Sequence, residues 1–584
     1  VAKFARSQRK ISLKVAELYM AIEEPTEKLI DVARATAGLN RLWGRVVVDA
    51  CIRNGLNRFF VAPGSRCTPL TLAIAEHAKA KVTRHYDERG LAFAALGYAR
   101  ACGKPGVFVC TSGTAVANAL PAVVEASMEH TPMLLLTADR PPELRGSGAN
   151  QTIDQANIYG SFVVRFHDLP CPRKEIELDT LVDWIQQGID ATYAGPTHLN
   201  CMFREPLTAP DLELPELPKW PRSRYFKTTN LRPSHLDKSV FERRGWFLLG
   251  RGTTAPFAIH DTAAACGWPV FGDVMTADHE LSLERLLHND HFAHDLAPEV
   301  IVHTGERFVS NTLDRYLRER PHIEIFRYPF GPAPKKLYPR EKMCDGEFRG
   351  VLAWRNGGPE QPLSDHAEVA DAIDRNCRAY LDAVLDQSGQ LSELAVAREI
   401  SRRVDYQHPI FLGNSLPIRL LDLAGSWEGG GRVFKFGCNR GASGIDGLVA
   451  SAAGFASVHG RTTVFIGDIS LLHDLNSLPL ATNLVLVVLN NDGGGIFHRL
   501  PVAEEAEPEV FEDWFGTPHG MHFEAAAQQF GLRYHAPETL TEFTEIFDDE
   551  READGGVIIE VRTDRAQTQR EFETVTFNFR EVQP

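Results

Sequence analysis

The chain has 584 residues, more than one hydrophobic core organises, so several domains are expected. Its 62 lysines and arginines stand against 77 acids, a net charge of −15, which disfavours general attraction to nucleic acid or anionic lipid and leaves anionic ligands to local arginines. The 10 cysteines are scattered without a C-x-x-C pair, which speaks against zinc and against a disulfide framework and for a reducing, cytoplasmic setting; no apolar run is long enough to enter a membrane.

The chain opens with VAKFARSQRKISLK, basic and free of acids, a composition shared with transit peptides. The simpler expectation is an N-terminal extension over 1–38, with Met20 as an alternative start. A first domain is expected over 39–207, where VFVCTSG, TAVANALPAVVEASMEH and PMLLLTADR read as strand, helix and strand. The proline-rich stretch around PLTAPDLELPELPKWPRSR predicts a linker over 208–239, because repeated prolines fix φ and remove donors. A central domain follows over 240–365, ending in a second proline- and glycine-rich stretch. A linker helix over 366–390 leads to a last domain over 391–584, where TTVFIGD, LLHDLNSLPL and NLVLVVLNN repeat the strand, helix, strand theme. The expected fold is α/β, with three doubly wound domains whose mainly parallel sheets carry helices on both faces.

Ligands of such sheets collect beyond the carboxyl ends of the strands, so polar residues that directly follow an apolar run carry the most information. In the last domain one run ends in Gly467-Asp468 and another in Asn490-Asn491-Asp492-Gly493-Gly494-Gly495. If these strands are neighbours, a carboxylate, an amide oxygen and a carbonyl converge, a hard oxygen set suited to Mg²⁺ or Mn²⁺ and, through the metal, to phosphates. The alternative is that Asp468 caps a helix and the glycines only make a turn. No G-x-x-x-x-G-K-[ST] loop is present. In the first domain Glu88 stands where a strand gives way to a helix, a place that also suits an ordinary acid interacting with the helix dipole. Arginines beside glycine or serine, at Arg66, Arg140, Arg419 and Arg440, fit a substrate with several carboxylates, although single arginines of this kind more often make surface ion pairs.

Taken together, VAPGSRCTPL, HYDERGLAFAALGYAR, TADRPPELRGSGANQTIDQ, GNSLPIR, NRGASGIDG, GDISLLHDLNSL and NNDGGGIFHRLP resemble the thiamine diphosphate dependent enzymes, and among them the 2-succinyl-5-enolpyruvyl-6-hydroxy-3-cyclohexene-1-carboxylate synthases. The resemblance implies a pyrimidine-binding first domain and a diphosphate-binding last domain. It implies that Glu88 contacts the aminopyrimidine N1′ of thiamine diphosphate as the catalytic acid. Cofactor contacts are implied at Ile445, Gly467, Asp468, Ile469, Ser470, Asn491, Gly493 and Ile496, with Asp468, Asn491 and the Gly493 carbonyl on Mg²⁺ or Mn²⁺. Ser65, Arg66, Arg140, Asn150, Gln151, Ser415, Arg419, Arg440 and Phe497 are implied to line the substrate region, beside Ile496. The implied substrates are 2-oxoglutarate and isochorismate, in menaquinone biosynthesis, and the implied assembly is a homodimer or homotetramer whose sites draw on two subunits.

Three departures stand out. The interval from Asp468 to Asn491 is short for the family, which a helix over Leu471–Leu480 still spans. Cys67 replaces a usual serine. Asn311 stands where family members often carry a lysine, with Arg307 nearby as a substitute cation. The alternatives are another 2-oxo acid carboligase or decarboxylase, or a catalytically silent homologue. A flavin-dependent carboligase is poorly supported, since Gly250-Arg251-Gly252 lacks the third glycine of a dinucleotide fingerprint.

Overall fold

Short apolar runs alternate with helical stretches and form mainly parallel sheets in the computed structural model, which describes residues 27–209, 232–253, 256–276, 281–329, 335–351, 362–405, 407–425 and 435–584. Much of the expected extension and of the expected proline-rich linker lies outside these residues. The described chain begins with α1 (Glu27–Arg53), which runs across position 39.

The first sheet contains β1 (Arg58–Val61), β2 (Lys81–Arg84), β3 (Gly106–Cys110), β4 (Met133–Asp139), β5 (Arg165–Leu169) and β6 (Thr197–Met202) in the order β2-β1-β3-β4-β6-β5. Between β2 and β3 runs α2 (Glu88–Cys102), and α3 (Leu120–Met128) precedes β4. The stretch expected as one helix over 114–130 is two, Thr114–Asn118 and Leu120–Met128; Pro121 lacks an N–H and so fits the opening turn of the second.

The second sheet takes β8 (Gly245–Leu249), β9 (Val270–Gly272), β10 (Val300–Thr304), β11 (Glu324–Tyr328) and β12 (Glu341–Met343), ordered β12-β11-β10-β8-β9; β7 (Pro233–Leu236) pairs separately with β13 (Glu347–Val351). The third sheet takes β14 (Ile410–Leu412), β15 (Phe436–Cys438), β16 (Thr462–Gly467), β17 (Leu484–Asn490), β18 (Arg533–His535) and β19 (Val557–Arg562), ordered β15-β14-β16-β17-β19-β18. Their residues are buried almost throughout in β16, β17 and β19, as expected for strands covered on both faces.

The chain forms two compact units. One holds the described residues before Arg89 together with Gly106–Leu120 and the described residues from Leu134 to 209; the other holds Arg89–Pro105, Pro121–Met133 and the described residues from 232 onward. Each sheet has a reversal of strand order beside its first strand in the chain: between β1 and β3, between β8 and β10, and between β14 and β16. Chain leaving the two flanking strands at such a reversal diverges and opens a crevice. Among the described residues no helix is long and apolar enough to cross a membrane.

Candidate active site

In the first unit the crevice lies beyond β1 and β3. The turn after β1 approaches the chain after β3 so closely that a Cβ on Gly64 would lie 2.5 Å from the Thr111 Cβ. Arg66 follows, buried, donating to the Phe203 carbonyl at 3.0 Å and to Glu205 at 2.6 Å. Arg140, directly after β4, donates to the Ser112 hydroxyl, which in turn donates to the Gln151 carbonyl at 3.1 Å. Burial, and then the charge of Arg66, hold the Arg140 guanidinium below its ordinary pKa, so the two cations share one neighbourhood. Gln151 has a left-handed φ of 54° and returns a side-chain N–H to the Ser112 carbonyl at 3.1 Å. Ser65 and Asn150 are exposed beside this cluster. Glu88 opens α2, half-buried, with Asn118 donating to it at a long 3.5 Å. Cys67 is buried, its thiol 3.1 Å from the Gly64 carbonyl.

In the second unit β16 and β17 are parallel neighbours in register up to Gly467 and Leu489, so the two polar strand ends expected to converge do so. The connection between them is a helix over Asp468–His473 followed by a 3-10 turn over Leu475–Leu480 with Pro479 inside; the expected helix over Leu471–Leu480 therefore starts earlier and tightens where proline supplies no donor. Asp468 is 2% exposed. Its carboxylate accepts the N–H of Ile469 at 2.7 Å and of Gly493 at 2.9 Å, and His519 Nε2 lies 3.1 Å away. Burial nevertheless holds its carboxyl above the usual range, because desolvation of the charged form outweighs these bonds.

Gly493 adopts a φ of 132°; a Cβ there would sit 1.9 Å from the Gly516 carbonyl oxygen, so only glycine fits. Its carbonyl accepts the N–H of Gly495 at 3.0 Å, which leaves one lone pair. Asn491 donates from Nδ2 to Glu393 Oε1 at 2.7 Å, while its Oδ1 is buried and has no partner. Glu393 is fully buried at the start of a helix, α4 (Glu393–Arg403), whose N-cap Ser392 accepts the Ala395 N–H. Burial pushes the Glu393 carboxyl up to about 7.

On the other side of β16, the chain leaving β14 places Ser415 at a φ of 73° before α5 (Leu416–Ala424), and Arg419 on that helix donates back to the Ser415 carbonyl at 2.7 Å. Burial, then the charges of Arg440 and Arg499, bring the Arg419 guanidinium down to about 10. Asn414 donates to the carbonyls of Asn439 and Gly444, at 2.7 and 2.5 Å, and accepts from Arg440 at 3.0 Å; it thereby pins the turn that leads to Ile445. Glu125 on α3 and Glu129 just after it hold the same turn: Glu129 accepts the Arg440 N–H at 3.0 Å, and Glu125 those of Gly441 and Ala442 at 2.8 and 2.7 Å. Arg440 and Gly441 also border a cavity of about 570 Å³ shared with Arg251, Arg307 and Arg327. Gly467, Ile469 and Ser470 flank Asp468, Ile496 packs on the core beside α5, and Phe497 meets Phe515 edge-on at 5.5 Å. Asn311 is exposed at the first turn of its helix, behind the capping Ser310.

Glu393, His519, Asn414, Glu125 and Glu129 were not singled out in the sequence. Asn414 stands in the quoted G-N-S string, directly after a strand, and was the most accessible of them. Among the described residues no group of three or more His, Cys, Asp or Glu is placed to hold a metal; what the third sheet offers is oxygen from a carboxylate, an amide and a carbonyl, the donor set of Mg²⁺ rather than zinc.

The thiamine pyrophosphate enzyme family, N-terminal TPP binding domain, matches residues 43–158. Together with the parallel α/β sheets, this defines a thiamine diphosphate dependent enzyme, a transferase by its relatives. A 2-succinyl-5-enolpyruvyl-6-hydroxy-3-cyclohexene-1-carboxylate synthase of Rubrobacter xylanophilus is 43% identical, over 91% of this chain and 97% of the relative. Synthases of the same name from Salinibacter ruber, at 37% over 90% and 94%, and Aeromonas salmonicida, at 36% over 88% and 92%, are similar too. The chain belongs to the 2-succinyl-5-enolpyruvyl-6-hydroxy-3-cyclohexene-1-carboxylate synthase family.

Proposed function

We propose that the chain decarboxylates 2-oxoglutarate and adds the remaining succinyl unit to isochorismate by conjugate addition, giving 2-succinyl-5-enolpyruvyl-6-hydroxy-3-cyclohexene-1-carboxylate for menaquinone biosynthesis in the cytoplasm. The observation that carries the reading is the unpartnered, buried Asn491 oxygen beside Asp468 and the Gly493 turn. A buried amide oxygen left without a partner is costly, and a divalent cation satisfies it.

In this reading Asp468, Asn491 Oδ1 and the Gly493 carbonyl hold Mg²⁺ or Mn²⁺, which carries the diphosphate of the cofactor. Thiamine diphosphate supplies an electron sink for the bond broken as carbon dioxide leaves. Glu88 holds a proton against N1′ of the aminopyrimidine and acts as the acid of the site. Ile445, Gly467, Ile469, Ser470 and Ile496 shape the cofactor's seat. Arg66, Arg140, Arg419 and Arg440 bind substrate carboxylates, with Ser65, Asn150, Gln151, Ser415 and Phe497 beside them; fixed guanidinium groups suit these because their forked donors match a carboxylate and need no reorganisation. Residues 39–207 act as the pyrimidine-binding domain and 391–584 as the diphosphate-binding domain, in a homodimer or larger assembly.

The test is a coupled assay of carbon dioxide release and isochorismate loss in the presence of thiamine diphosphate and Mg²⁺. Stoichiometric release and loss that require 2-oxoglutarate support the reading; turnover of pyruvate in place of 2-oxoglutarate, with isochorismate untouched, rejects it.

A further inference from the structure

The asparagine that ends β17 and the one that follows it each meet a buried carboxylate. Asn490 Nδ2 donates to Glu560 Oε1 at 2.6 Å and Asn491 Nδ2 to Glu393 Oε1 at 2.7 Å. The Asn490 oxygen is used within the turn, accepting the Asp492 N–H at 3.2 Å. The Asn491 oxygen is buried and has no partner.

The two ends of a side-chain amide have nearly the same shape, so its orientation is decided by what each end meets. At Asn491 that decision falls to Glu393. Its Oε1 accepts the Thr563 hydroxyl at 3.0 Å, a donor independent of Asn491, so that oxygen acts as an acceptor. Turned the other way, the Asn491 amide would set its oxygen against that acceptor.

The backbone at Glu393 is fixed by the start of its helix. Ser392 caps the helix that Glu393 begins, accepting the Ala395 N–H at 3.2 Å and donating to Glu571 at 2.9 Å. Glu393 is 0% and Asn491 7% exposed, so bulk water has little access to the pair.

We propose that Glu393 is a positioning residue that fixes the Asn491 amide with its nitrogen inward, so that the oxygen is the end presented to the divalent cation. This rests on the metal reading of the site given above. Partners of metal ligands act in this way by fixing which atom faces the ion.

The probe is Mn²⁺ titrated into the full chain with thiamine diphosphate and followed by electron paramagnetic resonance, a readout independent of turnover. Binding by the unaltered chain decides the metal reading first, and absence of binding there overturns that reading before any variant is examined. Glu393→Gln keeps an acceptor oxygen and is expected to bind Mn²⁺ within about threefold of the unaltered chain, whereas Glu393→Leu is expected to bind roughly 10–100-fold more weakly. A folded Glu393→Leu chain with unchanged Mn²⁺ affinity overturns the proposal.

Should the leucine variant fail to fold, a donor–acceptor exchange decides with near-isosteric changes. Asn491→Asp sets two carboxylates together and is expected to weaken Mn²⁺ binding. Adding Glu393→Gln returns a donor facing an acceptor and is expected to recover about tenfold of the loss; no recovery in the double variant overturns the proposal.

Discussion

The carboxylate of Asp468 accepts the backbone N–H of Gly493 at 2.9 Å, which locks the end of β16 to the turn after β17. The same turn has no room for a side chain, since a Cβ at 493 would lie 1.9 Å from the Gly516 carbonyl oxygen. Gly493→Ala is therefore expected to combine backbone strain of about 1–3 kcal/mol with displacement of the turn. The expected result is a folded protein of lower Tm that loses Mn²⁺ binding and most of its turnover. A variant with normal Mn²⁺ affinity would show that the turn plays no part in holding the ion.

On the role proposed for Glu88, Glu88→Gln removes the acid of the site and changes little else at a half-buried position with a long contact to Asn118. Folding and thermal stability should be preserved, while turnover should fall by roughly 10²–10⁴, the range for loss of a general acid or base. Steady-state kinetics beside a circular dichroism melt separate these effects. Near-normal turnover rejects the role assigned to Glu88.

Arg285 and Asp374 form a buried ion pair, Nε to Oδ1 at 2.9 Å, with the arginine also donating to the carbonyls of Leu423 and Gly425 at 2.7 and 2.8 Å. Removing one partner of such a pair typically costs about 3–5 kcal/mol, because the other is left charged and desolvated. Asp374→Ala should thus lower the Tm markedly, by calorimetry, with the Mn²⁺ affinity of the folded protein unchanged. An unaltered Tm would mean that the pair contributes nothing net.

His198 is fully buried, and burial brings its pKa down to about 3. Its folded value lies below its unfolded value, so the folded state binds fewer protons than the unfolded state between the two. The associated stability is present above about pH 6.5 and is lost as the pH falls toward about 3. With about 1.4 kcal/mol per pKa unit, the acid limb should be steep, and His198→Leu should flatten it in denaturant titrations at several pH values. Equal slopes for the two proteins would place the acid sensitivity in other residues.

The convergence of polar residues at the ends of β16 and β17 was legible because an apolar run that stops at Gly-Asp or Asn-Asn marks a strand end in the sequence itself. Parallel pairing then brings Gly467 beside Leu489, as a short crossover requires. Glu393 and His519 were not legible: each reaches the site across tertiary distance, from the start of a helix and from an irregular loop, and nothing in their neighbours' periodicity points there. The break between Thr114–Asn118 and Leu120–Met128 was missed because helical composition on both sides outweighed the single Pro121. Asn311 raised a question that the structure answers only locally, as an exposed residue behind the Ser310 cap.

Asn414 grips Asn439 and Gly444 at once while receiving Arg440, and so converts an open stretch of chain into a ring of fixed circumference. Insertions or deletions within that ring would break its closure. The placement of Ile445 thus depends on the number of residues between two carbonyls, and on a glycine at 441, where a Cβ would lie 2.7 Å from the Glu125 carbonyl oxygen.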